Sequence, residues 1–168
     1  LCSGSWSPGL AAALDLALPV QPAKGYSVTV CKPDPCPEIP FMMVEAKVAV
    51  TPMGDKLRFA GTLELAGMDL SINHRRVTAI MKSVPQYVPA WDPDELELTE
   101  VWRGLRPCSP DGLPYLGRVR DCENLTVAAG HAMIGVSLGP VTGDVTARLV
   151  QREDPGFDLG LCQVERFA

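Results

Sequence analysis

No window of about 18 consecutive apolar residues occurs in this 168-residue chain, so no segment is expected to cross a bilayer as a helix. Positive charge is in short supply. Fifteen Lys and Arg stand against 20 Asp and Glu, a formal net charge of −5, whereas a partner held through nucleic-acid phosphates requires a basic face. Arg75-Arg76 is too short a run to provide one. Histidine is scarce, with only His74 and His131, and the six cysteines (Cys2, Cys31, Cys36, Cys108, Cys122 and Cys162) offer no second close pair beside Cys31-x4-Cys36. A metal centre is therefore not expected, and the cysteines read as reduced thiols, with disulfides the lesser alternative. Internal repeats are absent, as is low-complexity sequence outside the proline-rich loop from Pro33 to Pro40. No secretory n-region precedes the apolar run from Leu10 to Leu18, which Asp15 interrupts.

What is present suits a folded domain: 46% hydrophobic and 21% charged residues in a chain long enough for a core. Pro8 to Leu16 predicts a short helix capped by Ser7, and Pro19 to Lys24 a linker. Val28, Thr29 and Val30 predict a strand over 25–31. Met42, Val44, Ala46, Val48 and Val50 alternate with polar residues, and Leu57, Phe59, Gly61, Leu63 and Leu65 repeat the pattern after a turn at Pro52 to Asp55. Those two runs predict an antiparallel hairpin with one dry face. Val77, Ile80 and Val84 then share a helical face, with Asn73 as cap and Pro85 as stop, and this helix would cover the hairpin. A strand is expected over 95–103, another over 125–129, and a helix whose stripe is Leu138, Val141, Val145 and Leu149.

The densest chemistry lies between Glu100 and Gly143. Arg103, Arg106 and Arg118 fall among turn-forming Pro and Gly, and the strand ending at Ala129 meets Gly130 before Gly135 and Gly139 open a helix. A strand that stops at glycine and restarts as a helix gathers backbone N–H groups at a positive helix end, a physical site for an anionic or electron-rich ligand. An arginine on a Gly-Leu-Arg-Pro turn can grip a carboxylate with two parallel hydrogen bonds. Read without further context, Arg106 could equally pair with Glu95, Glu100 or Asp111, and His131 is a hydrogen-bonded structural residue more readily than a general base.

Trp102-Arg-Gly-Leu-Arg-Pro107, Asp111-Gly-Leu-Pro-Tyr-Leu-Gly117, Gly130-His-Ala-Met-Ile-Gly135, and Leu138-Gly-Pro140 with Gly143 resemble the C-terminal part of the FAD-dependent D-amino acid oxidoreductases. The likeness is greatest to bacterial D-amino acid dehydrogenase small subunits, with glycine oxidase more distant. Ser3-Gly-Ser-Trp-Ser7 and Gly25-Tyr-Ser27 extend it over essentially the whole chain. The resemblance implies an α+β protein in interleaved pieces: 1–24 and 104–168 closing an FAD-binding domain, and 25–103 forming an antiparallel substrate-binding sheet with a covering helix. It implies FAD as cofactor, contacted at Gly4, Gly130, His131, Ile134, Gly135, Val136 and Ser137, largely through backbone. Arg106 would hold the substrate carboxylate, with Tyr26 as a weaker substrate contact. Met133, standing where glycine oxidase has a second site arginine, implies an apolar pocket for a side-chain-bearing D-amino acid. No residue is expected to act as acid or base.

The family opens with a Gly-x-Gly-x-x-Gly turn that grips the FAD pyrophosphate, and that pattern does not occur here. The chain begins at Leu1, and the expectation is a fragment whose partner is the missing N-terminal half. The implied reaction is oxidative deamination to a 2-oxo acid, with oxygen or a respiratory carrier as final acceptor, in the cytoplasm or at the inner face of a bacterial membrane. Glycine, hydroxyproline or opine oxidation is the alternative within the family. A truncated, non-catalytic binding domain is the alternative outside it.

Overall fold

Alternating β-branched and aromatic residues make Gln21–Cys31 a strand, β1, that is buried on both faces. In the computed structural model, which describes residues 1–167, it is followed by β2 (Phe41–Met43), β3 (Val48–Met53), β4 (Lys56–Glu64), helix α2 (His74–Tyr87) and β5 (Leu98–Cys108). Ahead of β1 lies helix α1 (Ser7–Ala12), and after β5 come β6 (Tyr115–Val119), β7 (Cys122–Ala129) and helix α3 (Gly135–Gln151). The chain is α+β, with an antiparallel sheet and covering helices. It divides into two compact units, one of Lys24–Leu105 and one of Leu1–Ala23 with the chain from Arg106 onward.

In the Lys24–Leu105 unit the sheet runs β2-β3-β4-β1-β5. β4 is antiparallel to both neighbours, with Val28 opposite Phe59 and Val50 opposite Phe59 on its other side. Tyr26, Val28, Val30, Val48, Val50, Leu57 and Phe59 form the core with Ile80 and Val84 of α2 and Trp91. Each large aliphatic or aromatic side chain buried this way contributes about 1.5–3 kcal/mol. Gly61 leaves room for the neighbouring strand, because a Cβ there would stand 3.0 Å from Val48 Cγ2 and 3.2 Å from Lys47 O.

Three local expectations are corrected. The run from Met42 to Val50 is not one strand: Val44–Lys47 turns, with Lys47 at φ +54° and its N–H donating to Val44 O at 3.1 Å. Met43 is thereby buried, while Met42 and Val44 are exposed. Pro85 does not stop α2, which ends at Tyr87; proline removes one N–H from the last turn, and the helix runs two residues past it before it ends. Asn73 precedes α2 without a side-chain cap bond, because its amide donates to Glu64 Oε1 instead.

That Glu64 belongs to a buried charge network. Lys24, 1% exposed, donates to Asp69 Oδ2 at 2.8 Å and to Ser71 O at 2.9 Å, and its ammonium lies 3.4 Å from Glu64 Oε2. Hydrogen bonds from the Tyr26 hydroxyl and the Asn73 amide, with Lys24 nearby, lower the Glu64 carboxyl to about 2. The network ties the connection between β4 and α2 to the sheet.

In the other unit β6 and β7 form a hairpin, with Tyr115 opposite Ala129 and Gly117 opposite Val127. One face carries Tyr115, Val119, Val127 and Ala129 against Ala11, Leu18 and Val164. On the opposite face Leu116 packs with Val145 and Leu149 of α3. Only the C-terminal half of the expected α3 stripe is buried; Val141 remains 39% exposed.

Candidate functional site

Three stretches distant in sequence meet at the α3 N-terminus. The amide of Ala128 donates to Leu1 O at 3.0 Å, which lays the first residues beside β7. Gly4, at φ +53°, then starts a single 3-10 turn ahead of α1. Pro107 and Cys108, at the end of β5, dock on the turn after β7: Ala132 N–H donates to Pro107 O at 2.9 Å, and Cys108 bridges His131 in antiparallel fashion. Gly130 makes that turn possible with φ +78°, a left-handed conformation that glycine adopts freely.

Together Cys2, Gly4, Pro107, Ala128–Met133, Gly135 and Val136 line a cavity of about 320 Å³. None of these described lining residues is Asp, Glu, Lys or Arg. The first helical hydrogen bond here runs from Leu138 N–H to Ile134 O at 2.9 Å, so the amides of Gly135, Val136 and Ser137 belong to the turn of α3 that lacks intrahelical partners. An uncharged cavity at a positive helix end suits an electron-rich group. Met133 (73%) and Val136 (94%) are exposed apolar side chains of this lining, and Ile134 (47%), which lies between them in sequence, is exposed as well.

His131 directs Nε2 to Thr142 Oγ1 at 3.1 Å, and burial lowers its pKa. The imidazole is thus engaged with the first turns of α3. Arg106 precedes Pro107 directly, and its charge opposes the rise that burial imposes on the Cys108 thiol. The expected Gly-Leu-Arg-Pro turn is instead the last part of β5, which runs to Cys108. Arg103 donates to Leu70 O at 2.8 Å and Arg118 to Leu149 O at 3.3 Å.

Tyr26 belongs to the Lys24–Leu105 unit and is 1% exposed. Its hydroxyl donates to Glu64 Oε2 at 2.6 Å and accepts from Asn73 N–H at 3.2 Å. Tyr26, expected as a substrate contact, thus has its hydroxyl engaged within this unit. Sequence reasoning missed Cys2 and Pro107 as lining residues. A pairing partner for the 1–4 segment would have been the signal, and that partner, β7, lies more than 120 residues away.

The chain belongs to the FAD dependent oxidoreductase family, whose model matches residues 1–149. It is 38% identical over 167 residues to a D-amino acid dehydrogenase of Xanthobacter autotrophicus, covering 98% of this chain and 39% of the relative. Against the D-amino acid dehydrogenase of Bradyrhizobium diazoefficiens it is 35% identical, covering 100% and 40%. The chain thus spans about two fifths of the length of these curated relatives. Among solved structures, glycine oxidase from Geobacillus kaustophilus superposes with a TM-score of 0.89 at 33% identity, over 99% of this chain and 44% of that one. Iminodiacetate oxidase from a Chelativorans species shares the fold, with a TM-score of 0.83 at 22% identity over 97% and 44%. FAD is the cofactor of this family, and the uncharged cavity, the α3 amides and the apolar rim fit a flavin edge.

Proposed function

We propose that this chain is the substrate-holding and flavin-closing part of an FAD-dependent D-amino acid dehydrogenase, which converts a D-amino acid to a 2-oxo acid. The observation that carries the reading is the placement of Arg106 one residue before the uncharged cavity that gathers Gly4, Gly130, His131, Met133, Gly135 and Val136. Identity to D-amino acid dehydrogenases along the whole chain supports it. In this reading the Lys24–Leu105 unit binds substrate, and the other unit closes the flavin domain, whose pyrophosphate grip lies in an N-terminal half carried elsewhere.

Bound FAD supplies the two-electron acceptor for the Cα–H hydride. Arg106 binds the substrate carboxylate through its planar fork and fixes which face of Cα is presented. The amides of Gly135, Val136 and Ser137 would stabilise negative charge on a flavin held at this helix end. Met133, Ile134 and Val136 exclude water and offer apolar contact to a side chain. No side chain here abstracts a proton, so the amine reacts in its neutral form and the resulting imine hydrolyses in water. Oxygen or a respiratory carrier would be the final electron acceptor. Among the described residues no helix is long and apolar enough to cross a membrane, and the proposed place is the cytoplasm or the inner membrane face.

The likeness to glycine oxidase favours a second reading within the family, a small amine such as glycine as substrate, with hydroxyproline and opines as further members. Anaerobic addition of amines to the flavin-loaded full-length protein separates them. D-amino acids with apolar side chains are expected to bleach the flavin absorbance, and L-enantiomers to leave it unchanged. Bleaching by glycine alone would establish the second reading.

A further inference from the structure

Arg166 lies outside the 1–149 stretch that the family model matches, yet each of its donor nitrogens is engaged. Its Nε donates to Asp111 Oδ2 at 2.9 Å and its Nη2 to Asp111 Oδ1 at 3.0 Å. Nη2 also donates to Leu113 O at 2.7 Å, while Nη1 donates to Pro114 O at 3.3 Å and Gln163 O at 3.0 Å. Five N–H donors thus meet five acceptors, which is the full capacity of a guanidinium. The side chain is 11% exposed, and this pair holds the Asp111 carboxyl well below the usual carboxylate range.

The same guanidinium lies 4.0 Å from the centroid of the Tyr115 ring. Tyr115 is wholly buried and donates its hydroxyl to Pro19 O at 2.8 Å. Its Cδ2 approaches Gly130 so closely that a Cβ there would stand 3.0 Å away. Ser109 completes the connection: its hydroxyl donates to Leu113 O at 2.6 Å, and its Cβ lies 3.7 Å from the same position on Gly130. Arg166 therefore grips both the 109–114 turn and the ring against which the Gly130 turn rests. Both adjoin the contact between Pro107 O and Ala132 N–H, which the bridge between Cys108 and His131 flanks.

We propose that Arg166 is a positioning residue, clamping the 109–114 turn and Tyr115 so that the Arg106–Cys108 end of β5 stays docked on the 130–132 turn. The inference rests on the reading of Arg106 as the carboxylate-binding residue, and it adds a tail residue more than 50 positions away that sets where Arg106 stands. Lysine cannot substitute, since it lacks the planar fork and the stacking face.

The test uses Arg166→Lys and Asp111→Asn in the flavin-loaded full-length protein, with Arg106→Leu in parallel. Arg166→Lys is expected to raise KM for a D-amino acid about tenfold while kcat changes about twofold or less, the signature of displaced ground-state binding. Asp111→Asn, which keeps the three carbonyl acceptors, is expected to act in the same direction more weakly. Hydrogen exchange supplies a readout independent of turnover: the Ala132 and Leu113 amides are expected to exchange faster in both variants, while the Val28 amide keeps its protection. Unchanged exchange at Ala132, or a loss of protection spread evenly over the unit, would overturn the proposal. So would an unchanged KM where Arg106→Leu raises it. If Arg106→Leu itself leaves KM unchanged, the carboxylate assignment fails, and selective exchange at Ala132 still decides whether Arg166 positions this end of β5.

Discussion

Replacing Arg106 by leucine in the flavin-loaded full-length protein is expected to lower kcat/KM for D-amino acids by about a hundredfold or more. Truncating one partner of a desolvated, hydrogen-bonded charge pair costs about 2–5 kcal/mol, and about 1.4 kcal/mol is a factor of ten. Most of the loss should appear in KM, because the carboxylate is held in the ground state as well as in the transition state. Arg106→Lys keeps the charge but loses the fork, and is expected to fall between the two. Steady-state kinetics on D- and L-enantiomers check the result. Turnover at unchanged apparent affinity would mean that the carboxylate is held elsewhere.

Gly130→Val is expected to have the largest effect on both stability and cofactor affinity. A residue with a Cβ pays about 1–2 kcal/mol in the left-handed region, and Gly130 sits there at φ +78°. Its Cβ would also stand 3.0 Å from Tyr115 Cδ2, and Tyr115 cannot retreat while it is buried and bonded to Pro19 O. Overpacking of this kind costs about 1–3 kcal/mol more. A total near 3 kcal/mol lowers the melting temperature by about 6–12 °C in a domain of this size. The displaced turn carries the Ala132 amide and the start of α3, so FAD affinity should fall with it. Thermal unfolding and a flavin titration check the two effects separately. Gly130→Ala should be milder in both, since it adds no branched methyls.

The α+β class, α2 and the antiparallel arrangement were legible because alternation and helical periodicity survive wherever one face is buried, as at Leu57 and Phe59 or at Ile80 and Val84. Alternation misled over Met42–Val50, where a left-handed Lys47 turns the chain and reverses which residues face inward. Lysine carries no turn signal comparable to glycine's at such a position. Pro85 misled in the opposite sense, as a stop signal that the last turn of α2 absorbs. The glycines of the cavity stood out because strand, glycine and helix follow one another in sequence. Pro107 and Cys2 did not, because the segments that carry them reach β7 and the turn after it through backbone bonds, from Ala128 N–H to Leu1 O and from Ala132 N–H to Pro107 O, which carry no side-chain code. Tyr26 illustrates the limit for single residues: its hydroxyl looked available until Glu64 and Asn73, 38 and 47 positions away, were brought against it. The Arg166–Asp111 clamp spans 55 positions and has no periodic signature at all.

The most direct test of the account is an FAD titration of this chain, alone and combined with the N-terminal half that the relatives carry. The account predicts saturable binding, with the visible absorbance of bound flavin, in the combined form only, since in the proposed reading the α3 amides and the cavity would cover an edge of the flavin and would not grip its pyrophosphate. A combined form that folds cooperatively and takes up no flavin would contradict the account and identify the chain as a non-catalytic binding domain.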